Sequence, residues 1–329
     1  MRIAAVFLAL AMTGCASAPL PAKRVEQTGY ISLGGIDQWV TMRGEDDRKP
    51  LLLLLHGGPG DAQSPFVTSY RPYERDFVLV QWDQRGAGRT FARHGSATPD
   101  LTLDQQTADG IALAEHLKTR FPGNDLVVFG HSWGSVIATN MAQQRPDLFD
   151  AYAGTGQVSS WAAITAWQFG FLKDRAREAN DATLLASLEA IGAPDPTNIG
   201  QYFSFTRPLR GYQHETDKNW LGGIAERAKA DGETDADLKA ASDGMGFSGQ
   251  RLIQTLVRID LTGMRDFAMP YCIVQGRHDL NAPADPAKAY FDTVSAPRKQ
   301  IIVVENAGHF ALATHATEVS AALMACLAD

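Results

Sequence analysis

Leu126-Val127-Val128-Phe129-Gly130-His131-Ser132-Trp133-Gly134-Ser135 is the stretch on which the reading of this chain turns. The apolar run Leu126 to Phe129 has the pattern of a strand covered on both faces. Val136 to Arg145 has the pattern of the helix that follows. Gly-x-Ser-x-Gly between a strand and a helix is the context of a nucleophile elbow. A serine on so sharp a turn needs strained backbone angles, and side chains in place of Gly130 and Gly134 would meet neighbouring chain. The turn also sets backbone N–H groups at a helix N-terminus, where developing negative charge is favoured. Ser132 is therefore the expected nucleophile.

A hydroxyl is a weak nucleophile at neutral pH and needs a base. In this architecture the acid and the base follow the serine along the chain. Two further strand-like runs supply them: Tyr271 to Gln275 is followed by Asp279, and Ile301 to Val304 by His309. Both residues are expected on the same rim as Ser132, with His309 as general base and Asp279 orienting it. The chain has eight histidines. His131 and His56 are read as structural, His278 and His315 as poor candidates for the base, and His94, His116 and His214 as solvated or core residues. Directly after the strand Leu51 to Leu55 comes His56-Gly57-Gly58-Pro59-Gly60. Its small residues let backbone N–H groups approach a substrate oxygen. Gly58, or Gly57, is expected to form an oxyanion hole with the N–H of Trp133.

Around these motifs strands alternate with helices. Phe77 to Trp82 is another solid apolar strand, and Tyr30 to Val40 reads as a hairpin around Gly34-Gly35. Helices are expected over 104–120 with Thr102 as N-cap, over 287–294 and over 317–327. The expected fold class is α/β: a mostly parallel central sheet with helices on both faces. The stretch 158–264 breaks the rhythm. It is helical in pattern and rich in aromatics, among them Trp161, Phe169, Phe203 and Trp220, and reads as an inserted cap. The core is then 28–157 and 265–329.

Taken together, His56-Gly57-Gly58-Pro59-Gly60, Asp83-Gln84-Arg85-Gly86-Ala87-Gly88-Arg89-Thr90 and the Ser132 elbow resemble the α/β-hydrolase superfamily, and within it the proline iminopeptidase family of serine peptidases. The resemblance implies release of an N-terminal residue, preferably proline, from a short peptide through an acyl-enzyme. Carboxylic ester hydrolysis by the same triad is the alternative. Asp61 stands where the family loop usually continues with glycine. Family members hold the substrate's free α-amino group with cap glutamates, and the cap here offers Glu178, Glu189, Glu215, Glu226 and Glu233. Asp83-Gln84-Arg85 is read as part of a buried Arg–carboxylate brace.

Composition narrows the partners. The chain has 329 residues, 45% apolar and 20% charged, with a net charge of −7. That is a globular mix, and an acidic chain without a basic block is unsuited to a nucleic-acid backbone. The glycine loop lacks the spacing of a nucleotide cradle, and no H-E-x-x-H is present, so neither cofactor nor metal is expected. The expected partner is a small molecule or short peptide.

Met1 to Ala18 has the form of an export signal. Ile3 to Met12 is apolar but shorter than the roughly 20 residues that span a bilayer. Thr13-Gly14-Cys15-Ala16-Ser17 resembles a bacterial lipobox, with Met12 where leucine is usual. That implies cleavage before Cys15, lipidation of Cys15 and a tether over 19–27. Cleavage after Ala18 and a buried N-terminal helix are the competing readings. The expected location is the periplasm or its membrane surface. Cys272 and Cys326 are expected to pack as small hydrophobes, with a bond between them as the alternative in an oxidising compartment.

Overall fold

The structure is a computed structural model that describes residues 21–327. The expected export signal and the lipidation site Cys15 lie outside the described residues. Eight strands form one sheet: β1 (Val25–Leu33), β2 (Ile36–Gly44), β3 (Leu51–Leu55), β4 (Val78–Asp83), β5 (Leu126–His131), β6 (Ala151–Thr155), β7 (Tyr271–Gly276) and β8 (Lys299–Val304). Their order is β1-β2-β4-β3-β5-β6-β7-β8, antiparallel at the β1–β2 hairpin and at β2–β4 and parallel from there on.

The five leucines of β3 show why solid apolar runs mark central strands. Leu51, Leu53 and Leu55 enter the core on one face, with Trp82, Val128 and Val136. Leu52 and Leu54 enter the core on the other, with Tyr73, Phe129 and Val274. None of the five is more than 1% exposed. Each such side chain contributes about 1.5–3 kcal/mol on burial. Helix Leu103–Arg120 begins where expected, with the Thr102 side chain accepting the N–H of Gln105 at 3.1 Å.

Two expectations are corrected, and one strand carries no mark in the sequence. The strand β1 starts at Val25, so residues 25–27 of the expected tether pair with β2, Val25 opposite Gly44. This is an edge strand whose residues 26–32 are largely solvent-facing, so hydrophobic patterning does not mark its extent. The strand β6, Ala-Tyr-Ala-Gly-Thr, carries no β-branched apolar run, yet it sits fully buried between β5 and β7. Finally, Cys272 and Cys326 are joined as a disulfide with Cα atoms 6.1 Å apart. Cys272 points from β7 onto the face of helix Ala316–Leu327 that carries Val319, Leu323 and Cys326, all in one core cluster.

Seven helices lie between β6 and β7, from Trp161 to Leu256. Phe169, Leu172, Leu188, Phe205 and Leu209 form their own small core, completed by Leu280 from the loop after β7. The insert is fastened to the sheet's rim: Ser248 Oγ donates to the Gly86 carbonyl at 2.8 Å, and Arg89 is ion-paired with Glu233 at 2.8 Å. Among the described residues no helix is long and apolar enough to cross a membrane.

Candidate active site

Ser132 lies between β5 and helix Trp133–Gln144, with φ +54° and ψ −120°. A positive φ on a serine is a strained backbone conformation held by its surroundings. The flanking glycines are required by close approach: a Cβ on Gly134 would strike the Leu55 carbonyl oxygen, and one on Gly130 would meet the backbone of Gly134 and Ser135. Ser132 N–H donates to the Thr155 carbonyl at 3.0 Å, which fixes the elbow to the end of β6.

The loop after β3 runs beside the elbow. A Cβ on Gly57 would lie 3.0 Å from the Ser132 Cβ. Gly58 has φ +112°. Among the described residues the N–H groups of Gly57, Gly58 and Trp133 have no protein acceptor. The loop is held from behind by His56. Its Nδ1 donates to the Gly57 carbonyl at 2.9 Å, and its Nε2 accepts the Gln84 N–H at 3.2 Å. Burial pushes His56 down to about 4, so the ring stays neutral in this brace. Further out, Arg85 is fully buried against Asp109, its Nε 2.8 Å from Oδ2, and also donates to the Gly34 and Pro99 carbonyls. Asp83 accepts the Arg89 N–H at 2.8 Å.

Parallel order puts the ends of β5, β7 and β8 on one edge, and there the structure brings Asp279 and His309 together. His309 Nδ1 donates to Asp279 Oδ2 at 2.8 Å, with His309 5% and Asp279 2% exposed. Asp279 is itself fixed. Its Oδ1 accepts the N–H groups of Asn281 and Ala282, both at 2.8 Å, and its Oδ2 also accepts Gln275 Nε2 at 3.0 Å. The imidazole lies against Gly156, the residue after Thr155, where a Cβ would sit 2.9 Å from His309 Cε1. Ser132 and His309 therefore contact adjacent residues of one turn. Among the described residues Ser132 Oγ makes no hydrogen bond, so its link to His309 is one of position. Such bonds are often long in unliganded enzymes and tighten when substrate binds. Burial alone would lower the His309 pKa. The Asp279 carboxylate more than offsets this, with Asp217 and Asp61 adding, and the net direction is upward.

Sequence reasoning missed Asp217. This buried residue of the helical insert, in helix Glu215–Gly222, accepts the N–H of His309 at 2.7 Å and that of Phe310 at 3.1 Å. It anchors the loop that carries the imidazole, across 92 positions of sequence. No local motif marks such a residue. His131 supports the same loop from below. Its Nε2 donates to the His309 carbonyl at 3.0 Å, and burial keeps its ring neutral. Other histidines are engaged elsewhere: His278 stacks on His214, His94 Nε2 donates to the Asp37 carbonyl, and His315 bonds the adjacent Thr314. Among the described residues no group of three or more His, Cys, Asp or Glu side chains is placed to hold a metal ion.

A serine on a strand-to-helix elbow, a carboxylate-held imidazole and free backbone donors define a hydrolase, and comparison with known proteins agrees. The family profile of the alpha/beta hydrolase fold matches residues 50–316, and the chain belongs to that family. Its relatives lie in the proline iminopeptidase-like branch. It is 30% identical over 286 residues to a probable aminopeptidase of Bacillus subtilis, covering 85% of this chain and 89% of that one. It is 25% identical over 307 residues to a probable proline iminopeptidase of Leptolyngbya boryana, covering 88% and 90%. Among solved structures, a proline iminopeptidase-related protein from Thermus thermophilus superposes with a TM-score of 0.62 at 19% identity, over 92% of this chain and 97% of that one. This last likeness concerns the fold. The protein is a serine hydrolase of the α/β-hydrolase family.

Proposed function

We propose that this hydrolase is an exported aminopeptidase that releases N-terminal residues, proline preferred, through an acyl-enzyme on Ser132. The observation that carries the reading is the Asp279–His309 hydrogen bond at the strand ends beside the elbow. In the proposed mechanism His309 takes the Ser132 proton as Oγ attacks the scissile carbonyl, and returns it to the leaving amine. Water then attacks the acyl carbonyl and gives a proton to His309, which returns it to Ser132 Oγ as the Oγ–acyl bond breaks and the released residue leaves as its carboxylic acid. Asp279 keeps Nδ1 protonated, so that Nε2 is the basic nitrogen, and stabilises the imidazolium. The N–H groups of Gly58 or Gly57 and of Trp133 receive the oxyanion. Losing one such donor costs about 3 kcal/mol in the barrier. Residues 158–264 act as the cap.

An aminopeptidase needs a carboxylate for the substrate's ammonium group. The cap glutamates named from sequence are poorly suited to it. Glu178 and Glu215 are exposed and paired with Arg175 and Lys218, Glu189 and Glu226 are exposed, and Glu233 is neutralised by Arg89. Asp217 is committed to two backbone N–H groups. Asp61 differs from all of these. It follows the oxyanion loop, lines a small pocket of about 80 Å³, and among the described residues its carboxylate has no hydrogen-bond or ion-pair partner. Burial pushes it up to about 6, and His309 pulls it the other way. We assign it the ammonium. A charged hydrogen bond is worth about 1.5–3 kcal/mol, so Asp61→Asn is expected to lower kcat/KM for prolyl-naphthylamide, relative to p-nitrophenyl acetate, by about 10- to 100-fold. In the unaltered enzyme, KM for the amine substrate is expected to rise as pH falls through about 6, where Asp61 becomes neutral. Turnover of the acetate ester with no aminoacyl-amide activity would instead make the enzyme a carboxylic ester hydrolase.

The proposed location is outside the cytoplasm, on a lipid anchor at Cys15. The Cys272–Cys326 disulfide supports export, because such bonds persist in oxidising compartments. Cys15→Ser is expected to move the protein from the membrane pellet to the soluble fraction. A variant that still pellets would contradict the anchor.

A further inference from the structure

A second cavity of about 1080 Å³ lies in the cap, between helices Trp161–Glu178 and Ile199–Thr206 and the short helix Leu209–Tyr212. Leu280 and Asn281, which directly follow Asp279, form one wall, so the cavity begins next to the acid that holds His309. Its size is at the upper end of small-ligand sites.

The chemistry of the walls is one-sided. Arg207 and Arg210 line it, and no Asp or Glu does. Arg85, Arg89, Arg145 and Arg277, by contrast, sit against carboxylates. Among the described residues Arg207 and Arg210 have no side-chain hydrogen bond, ion pair or ring partner, and both are solvent-facing. An unmatched pair of guanidiniums is suited to a carboxylate, which each can grip with two parallel N–H groups.

Two more features narrow the ligand. Gln168, 1% exposed, lines the cavity and donates Nε2 to the Leu280 carbonyl at 2.8 Å, while its Oε1, closed to solvent, has no partner among the described residues. A buried acceptor of this kind calls for a hydrogen-bond donor, which an amide N–H supplies. Tyr202, Phe203, Leu209 and Leu221 supply apolar surface. Phe203 is 57% and Leu221 41% exposed, and the two are among the few large apolar side chains left open to solvent.

A carboxylate with an amide N–H and an apolar side chain on the same residue together describe a peptide C-terminus. We propose that this cap cavity is a subsite for the C-terminal residue of a short peptide substrate: Arg207 and Arg210 hold its carboxylate, Gln168 Oε1 accepts its amide N–H, and the apolar walls take its side chain. The assignment of the ligand as substrate rests on the aminopeptidase reading. The binding chemistry itself does not.

The test is calorimetric titration of the full-length Ser132→Ala protein, which cannot turn ligands over, with amine-blocked N-acetyl-leucyl-phenylalanine and with its C-terminal amide. The acid is expected to bind at least tenfold more tightly than the amide. The double variant Arg207→Gln, Arg210→Gln is expected to abolish that preference, and Gln168→Leu to weaken the acid and the amide equally. Equal binding of acid and amide, or a preference that survives the double arginine change, would overturn the proposal. Octanoate, a carboxylate without an amide N–H, is expected to bind more weakly than the peptide acid. Equal or tighter binding of octanoate would overturn the assignment to a peptide end. Because the ligands carry no free amine and no turnover is measured, failure of the aminopeptidase reading leaves this result unaffected, and the reverse also holds.

Discussion

Ser132→Ala is expected to lower kcat by roughly 10⁵- to 10⁶-fold on every substrate the enzyme accepts, with the fold intact. The size follows from the proposed chemistry. Without Oγ no acyl-enzyme forms, and His309, Asp279 and the backbone donors have no nucleophile to serve. What remains is binding and oxyanion stabilisation of a water attack. The fold should survive because Ser132 Oγ makes no hydrogen bond among the described residues, so its removal strands no buried partner. The backbone at φ +54° strains alanine much as it strains serine, and both glycines that permit the turn are kept. Steady-state kinetics with thermal melting of the variant checks this. Turnover within tenfold of the unaltered enzyme would mean that another residue attacks.

Asp279→Asn is expected to lower kcat by about 10⁴-fold. The hydrogen bonds around the carboxylate explain why an isosteric change does such harm. Oδ1 receives two backbone N–H groups, from Asn281 and Ala282. Oδ2 receives the imidazole Nδ1–H and Gln275 Nε2–H. An amide has only one oxygen. If that oxygen stays with the two backbone donors, its NH₂ faces Nδ1. The ring must then carry its proton on Nε2, the nitrogen that should accept from Ser132. If the amide turns over, the NH₂ meets the two backbone donors, and a buried conflict of about 1–3 kcal/mol replaces the lost geometry.

The same substitution has a signature in pH. His309 must be neutral to act as base, and in the native protein its pKa is raised above the ordinary 6.5. The acid limb of kcat/KM is therefore expected above pH 6.5, with activity lost as pH falls through it. Burial acts in the opposite direction, by penalising the imidazolium. Removing the Asp279 anion leaves burial with less to oppose it, so the limb of the residual Asp279→Asn activity is expected to move to lower pH. An unmoved limb would show that some other group sets it.

What sequence could show here was governed by locality. The elbow was legible because strand, serine, glycines and helix are consecutive, and because a strand buried on both faces has to be an unbroken apolar run. Asp279 and His309 were legible for a related reason: each stands just past such a run, and parallel strands put their ends on one edge. The strand β6 was hidden by its own role, since small residues there make room for the neighbouring turn. In β1 most side chains face solvent, so only backbone pairing reveals its length. Asp217, the Cys272–Cys326 bond and the arginines of the cap cavity were illegible because each acts on a partner distant in the chain or on space enclosed by several helices. Asp61 was visible as a departure from a glycine-rich loop, but its lack of a partner is a property of the folded chain.

The central claim is that Ser132 is the nucleophile of a relay through His309 and Asp279, and covalent labelling tests it most directly. The active enzyme is treated with a fluorophosphonate until turnover stops, digested, and the adduct mapped by tandem mass spectrometry. The expected result is one adduct per chain, on Ser132, with loss of activity proportional to its formation. An adduct on a different residue, or full activity in protein whose Ser132 is completely modified, would contradict the account.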